Sequence, residues 1–154
     1  MIEYDRWANE EILDAMRGAD VVPRRARLWL PHIIGSQNTW VCRLEGTESP
    51  VPIWPDWSLD ETALHLGALY TRWSRYLNQL PAPNLLKPVA YTNNCGEAYS
   101  GTPADILQHV LVHSRHYRSE IAAEIRAANR TPVISDFVFA LRDPDFRKTV
   151  QPLS

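Results

Sequence analysis

The chain has 154 residues, with 16 basic and 18 acidic side chains and a formal net charge of −2. Hydrophobic residues make up 45% of it, which is ordinary for one globular domain with a core, so we expect a single domain over residues 1–154. Its basic residues form no run or stripe, which argues against nucleic-acid binding, and no apolar stretch approaches the roughly 20 residues of a membrane span.

The N-terminal segment, MIEYDRWANEEI, is acidic and polar, whereas a secretory signal begins basic and continues apolar. We therefore expect a cytoplasmic protein in which Cys42 and Cys95 are free thiols. Apolar residues recur at intervals of three and four from Tyr4 to Met16. This spacing predicts an amphipathic helix that stops near Gly18.

A second helix is predicted from the apolar residues between Leu30 and Leu44, with Gly46 after its end. Pro31 lies near its start, and proline lacks the backbone donor that a helix interior uses. The helix therefore either begins close to Leu30 or is kinked there.

Residues 47–57 contain three prolines, which exclude a helix and predict an extended linker across the bundle. Ser58 and Glu61 then have the spacing of a capping box, in which each side chain caps the backbone of the other. The apolar stripe that follows them, ending at Leu80, predicts a third long helix.

Alternating residues and a turn at 88–101 predict a short hairpin. Thr102 and Pro103 then have the residue types of a helix start, and the helix is predicted to run to about Ala128. Residues 135–141 predict a short final helix with Ser135-Asp136 as its cap. The expected fold is thus an all-α four-helix bundle with a long crossover linker and a hairpin-like insert before the last long helix.

Three of the five histidines lie in this last long helix, at positions 109, 113 and 116. On a helical wheel with His109 at zero, His113 lies at about 40° and His116 at about −20°. Tyr117 lies at about 80°, and the apolar face is centred at about 110°. His113 is therefore the histidine nearest the core, and Tyr117 lies within the core arc. His116 is expected to be the most exposed.

Neutral imidazole is a common ligand for zinc and similar ions, and two histidines four apart on one helix can hold one ion. His109 and His113 have that spacing. A catalytic site also needs a ligand from another element and an open position, and only His32 and His65 remain to supply the ligand. The alternative is that these histidines are hydrogen-bonded or lie on the rim of the bundle without a metal.

Five stretches cover nearly the whole chain in order: YDRWANEEILDAM, PHIIGSQNTWVCRLEG, VAYTNNCGEAY, ADILQHVLVHSRHYRSEIAAEIR and TPVISDFVFALR. Together they resemble the DinB-like, damage-inducible superfamily of bacterial four-helix bundles. The family's metal ligands are a histidine triad, one from the second helix and two that lie four apart on the last long helix. By position these correspond to His32, His113 and residue 117, where this chain has Tyr117.

Tyr117 leaves four outcomes open for a zinc or nickel site. Tyrosine itself can be the ligand if the cation lowers its pKa from about 10. His109 or His116 can supply the third ligand instead, or no metal binds. If Tyr117 is the remnant of a lost site, we expect its hydroxyl to hydrogen-bond a neighbouring imidazole.

The resemblance implies a divalent-metal-dependent thiol (S-)transferase that acts on a small-molecule substrate with a low-molecular-weight thiol. The ion would bind the thiol and lower its pKa, with Glu120 and Glu124 orienting the imidazoles. It also implies a homodimer, since relatives often pair through their helices.

The alternative is a non-catalytic ligand-binding or stress-response bundle with a degenerate metal site, and Tyr117 favours it. A DNA-binding role is suggested only by the family name, and the charge balance argues against it.

Overall fold

Four long helices dominate the computed structural model, which describes residues 1–150. The predicted all-α bundle is thereby confirmed, while residues 151–154, which the single-domain prediction includes, lie outside the described residues. In the bundle, α1 and α2 each pack against both α3 and α4. The helices are α1 (Ile2–Arg17), α2 (Arg24–Glu45), α3 (Leu59–Gln79), α4 (Pro103–Ala127), α5 (Phe137–Ala140) and α6 (Pro144–Val150), with a 3-10 helix at Ala82–Leu86.

Two capping boxes begin α3 and α4. The Ser58 hydroxyl accepts from the Glu61 amide at 3.2 Å, and the Glu61 carboxylate accepts from the Ser58 amide at 2.8 Å. Thr102 and Asp105 repeat the arrangement at the start of α4. These boxes pair amides that the first helical turn leaves without partners, and they confirm both predicted helix starts.

The second helix begins at Arg24, six residues before Leu30, and continues through Pro31. Of the two predicted alternatives, a start close to Leu30 is therefore wrong. The proline leaves one main-chain hydrogen bond unmade, but both Leu30 and Pro31 are buried in the bundle, where packing favours the helix. The helix ends at Gly46, whose φ of 68° is the left-handed conformation of a helix C-cap.

The predicted hairpin is present as β1 (Val89–Thr92) and β2 (Ala98–Gly101), paired antiparallel. The side-chain oxygen of Asn93 accepts from the amides of Cys95 and Glu97, both at 2.9 Å, and so holds the turn. The hairpin packs beside α2 and leads directly into α4.

The C-terminal part of the described chain contains two short helices, not the single one predicted over 135–141. The first, α5, begins after Asp136, whose side chain makes no capping hydrogen bond, and the second, α6, was not expected. Ala140 and Phe146 are buried against Tyr4 and Ala8 of α1, so tertiary packing stabilises helices that are too short to be stable alone.

A hydrogen-bonded polar network lies within the apolar core. The Asp5 carboxylate is fully buried and accepts from Arg118 Nη1 at 2.6 Å, Gln37 Nε2 at 2.5 Å and the Tyr70 hydroxyl at 2.7 Å. Gln37 also accepts from Trp73 Nε1 at 3.0 Å. Burial and the Asp5 charge raise the pKa of Tyr70 well above its usual range. The network therefore joins α1, α2, α3 and α4 at one point.

Within residues 1–150, no helix has the length and apolar character needed to cross a membrane.

Candidate metal centre

His32, His113 and Tyr117 are mutual neighbours where α2 packs on α4. The ring centroids of His32 and His113 are 5.1 Å apart, those of His32 and Tyr117 4.4 Å, and those of His113 and Tyr117 4.9 Å. Two helices that are far apart in sequence thus bring together the three positions that the family resemblance selects.

The other two histidines of α4 lie to either side of this group. The His109 ring is 5.6 Å from that of His113 and meets the Trp40 ring edge-on at 4.9 Å. The His116 ring meets Tyr117 edge-on at 5.2 Å, and both His109 and His116 are exposed, so the ranking of His116 as the most exposed stays a prediction. His113 is half-buried and is therefore the histidine of the stripe that faces His32.

One hydrogen bond fixes the tautomer of His32. Its Nδ1 lies 3.0 Å from the Ile53 carbonyl oxygen, which can only accept, so Nδ1 carries the proton. Nε2 is then left with a lone pair. This atom is buried, in a residue only 3% exposed, and it has no hydrogen-bond partner within residues 1–150.

A buried nitrogen without a partner is unusual, because most buried polar atoms are hydrogen-bonded. A histidine that ligates a metal typically donates its other ring N–H to a carbonyl or carboxylate, as His32 does to Ile53. The free Nε2 of His32 therefore fits the role of a metal ligand that the family implies.

The close approach of the linker at Ile53 depends on Gly35, one turn after His32. A Cβ atom at position 35 would overlap the Pro52 carbonyl oxygen and would lie 2.8 Å from that of Ile53. Trp54, the next linker residue, stacks on the His32 ring at 3.5 Å with an interplanar angle of 12°, although it is 56% exposed. The linker thus supplies both an acceptor for Nδ1 and a cover for the imidazole.

The environment keeps these imidazoles neutral at pH 7. Burial, and then the charges of the neighbouring histidines, lower the pKa of His113 to about 4. Burial also lowers the pKa of His32, against a smaller opposite effect of its hydrogen bond to Ile53. Burial and the nearby Arg43 lower the pKa of His109. Neutral rings retain the lone pairs that a metal ion requires.

Tyr117 occupies the third position, but its hydroxyl makes no hydrogen bond with residues 1–150, so the expected bond to an imidazole is absent. The residue is half-buried, and its hydroxyl is not among the buried atoms that lack a partner, so it reaches solvent.

No group of three or more histidine, cysteine, aspartate and glutamate side chains in residues 1–150 is arranged to hold a metal ion. The candidate centre therefore consists of two imidazoles and a phenol.

The Glu124 carboxylate, expected to orient an imidazole, lies 3.4 Å from Arg25 instead. His65, the other predicted source of a ligand, stacks on Trp57 at 3.8 Å, and Cys42 is a buried free thiol.

The sequence interpretation missed the residues that support the centre. Gly35 and Trp54 are separated from His113 by long stretches of chain, and only the glycine in the interior of α2 marks the place where the linker approaches. The buried Ser114 and Arg118 lie on the same face as the apolar residues of α4, at about 140° and 180° on the wheel. Their helical positions could have predicted their burial.

The residues of this candidate centre lie within a stretch of the chain that matches a known family. A family model described as "DinB superfamily" matches residues 28–121, more than half of the chain. The matched span includes His32, Gly35, His113 and Tyr117. A search of curated proteins finds no match to the chain.

Proposed function

The chain belongs to the DinB superfamily, and on that premise we propose that it binds a divalent metal ion between α2 and α4. The observation that carries the proposal is the buried, unpaired Nε2 of His32, whose tautomer is fixed beside a neutral His113. His32 and His113 would hold the ion with Tyr117 as the third protein ligand. Imidazole ligands suit zinc or nickel.

We further propose that the metal-bound protein is a thiol transferase that attaches a low-molecular-weight thiol to a small-molecule substrate. A bound ion supplies positive charge that lowers the pKa of a thiol beside it. The Ile53 carbonyl orients the His32 ring, and Trp54 shields that ring from water on one face. His116, exposed beside Tyr117, is placed to accept the proton that the thiol releases.

The test of this function is metal content together with thiol-dependent turnover, both measured on protein purified without a histidine tag. We expect about one metal ion per chain and consumption of an electrophilic substrate only when a low-molecular-weight thiol is present. His113→Ala should lose both properties, whereas His65→Ala, outside the centre, should retain both. Metal binding without any thiol-dependent turnover would overturn the transferase proposal while leaving the metal proposal intact.

A second candidate function is a non-catalytic ligand-binding or stress-response bundle with a degenerate metal site. Two observations favour it: Tyr117 stands where the family has histidine, and residues 1–150 hold no three-residue group of the usual metal-binding side chains. This candidate predicts protein without stoichiometric metal and without thiol-dependent turnover.

Family membership also leads us to propose a cytoplasmic homodimer. Free Cys42 and Cys95 suit a reducing compartment. The dimer predicts a solution mass of twice the 17.6 kDa chain, which light scattering after gel filtration would measure.

A further inference from the structure

A second concave region lies on the side of α4 away from the candidate metal centre. It is a cavity of about 260 Å³ between α4, Tyr4 of α1 and the extended residues 132–136. Arg115, Arg118 and Arg126 contribute to its wall. On the helical wheel, Arg115 and Arg126 fall at about −120° and −100°, on the opposite face from His113 at about 40°.

Arg118 is the unusual member of this wall. Its side chain is 3% exposed, and its hydrogen bonds leave from Nη1, to Asp5 at 2.6 Å and to Asn9 at 3.1 Å. The Nη2 atom is buried and has no partner within residues 1–150. Nη1 is thus committed to α1, while Nη2 keeps unused donors in a side chain that lines the cavity.

The charges that line the cavity favour a singly charged anion. Asp5 already neutralises Arg118, and Asp136, 4.0 Å from Arg115, supplies one further negative charge. Arg115 and Arg126 together supply two positive charges, so the wall retains one that is uncompensated.

Part of the remaining wall is apolar. Ala122, Val133 and Ile134 offer hydrocarbon surface, and the Tyr4 hydroxyl holds the 132–136 segment in place by donating to the Ser135 carbonyl at 2.8 Å. A ligand that suits this cavity therefore has one anionic end and a small apolar body.

We propose that the cavity between α4 and residues 132–136 binds a small organic carboxylate, with Arg118 as the buried anchor. A guanidinium binds a planar carboxylate through parallel N–H donors, and burial strengthens such charge-assisted hydrogen bonds. Arg115 and Arg126 attract the anion, and the apolar wall accommodates its body. This site is separate from the proposed metal centre and does not depend on it.

The experiment is an NMR titration of the full chain with acetate, benzoate and inorganic phosphate, following the amides of residues 133–136 and the Arg118 side chain. We expect saturable shifts with both carboxylates, and tighter binding of benzoate because its ring contacts the apolar wall. Substitution of Arg118 would also leave buried Asp5 without its partner and destabilise the fold, so variants of the exposed arginines are used instead. Arg115→Gln and Arg126→Gln should each weaken benzoate binding about threefold, the scale of a single exposed charge.

Two further variants make the titration decisive. Ala122→Phe fills the cavity and should abolish the shifts, while Arg75→Gln, on α3, should leave the affinity unchanged. Absence of saturable shifts with either carboxylate would show a cavity that holds only water and would overturn the proposal. Equal binding by Ala122→Phe, or tighter binding of phosphate than of both carboxylates, would also overturn it.

Discussion

At the scale of single residues, the proposed metal centre depends on one nitrogen atom and one substitution. The Nε2 of His32 is buried and unpaired because Nδ1 is committed to Ile53, and this makes His32 an available ligand. Tyr117 stands where the family carries histidine, and a neutral phenol is a weaker ligand than imidazole. Metal affinity should therefore rise when residue 117 becomes histidine and fall when it becomes phenylalanine.

Tyr117→His should raise the affinity for zinc or nickel at least about tenfold, equivalent to about 1.4 kcal/mol, because it restores an imidazole one turn from His113. Tyr117→Phe should lower it, because the oxygen ligand is lost. Calorimetric titration of the wild type and the two variants with metal measures these affinities. Unchanged affinity in Tyr117→Phe would mean that the third ligand comes from elsewhere, and no gain in Tyr117→His would contradict the placement of residue 117.

Acid should destabilise the metal-free protein over a pH range that lies between the folded and the unfolded pKa of His113. Its pKa in the fold is about 4, whereas its ordinary value is 6.5, so below 6.5 the unfolded chain takes up the proton first. The free energy of unfolding should therefore fall as pH drops from about 6.5 to about 4. Chemical denaturation across this range would show a shallower fall for His113→Gln, and an identical slope in the two proteins would contradict the lowered pKa.

At the scale of elements, the linker before α3 and helix α2 form one unit through Gly35. The linker could be recognised from its three prolines, and local sequence alone identified the start of α3 from the capping box at Ser58 and the start of α4 from the Thr102-Pro103 pair. The contact of Ile53 and Trp54 with His32 could not be predicted, because it is tertiary and follows no periodicity.

Gly35→Ala should displace the linker, because the added Cβ would overlap the carbonyl oxygens of Pro52 and Ile53. Losing the orientation of His32 should weaken metal binding about tenfold or more, the usual effect of removing a group that orients a ligand. Zinc titration would measure this change, and Trp54 fluorescence should change with it. Gly67→Ala is the matched control, since nothing lies within 4 Å of its Cβ position and its metal affinity should be unchanged. Equal affinities in the two variants would contradict the role of the linker.

At the scale of the whole molecule, the bundle surrounds a buried ion pair that apolar patterning did not predict. Four of the main elements could be predicted because their apolar residues repeat at helical spacing, which depends on local sequence. The Asp5–Arg118 pair joins residues 113 positions apart, and α6 is stabilised by burial of Phe146 against α1. Such features depend on contacts that only the complete fold creates.

Asp5→Ala should lower the free energy of unfolding by about 3–5 kcal/mol, because it leaves the buried Arg118 charge without its partner. Asp60→Ala removes the exposed partner of Arg17 and should cost no more than about 1 kcal/mol. Urea denaturation of the two variants measures the difference. Equal losses would contradict the central position of the Asp5 network.

Calorimetric titration of metal-free, untagged protein with zinc is the decisive measurement for a metal centre between α2 and α4. We predict one site per chain in the wild type, loss of that site in His32→Ala, and retention of it in His65→Ala, whose ring stacks on Trp57 away from the centre. A wild-type protein that binds no zinc, or a His32→Ala variant that binds it equally well, would contradict a metal centre between α2 and α4.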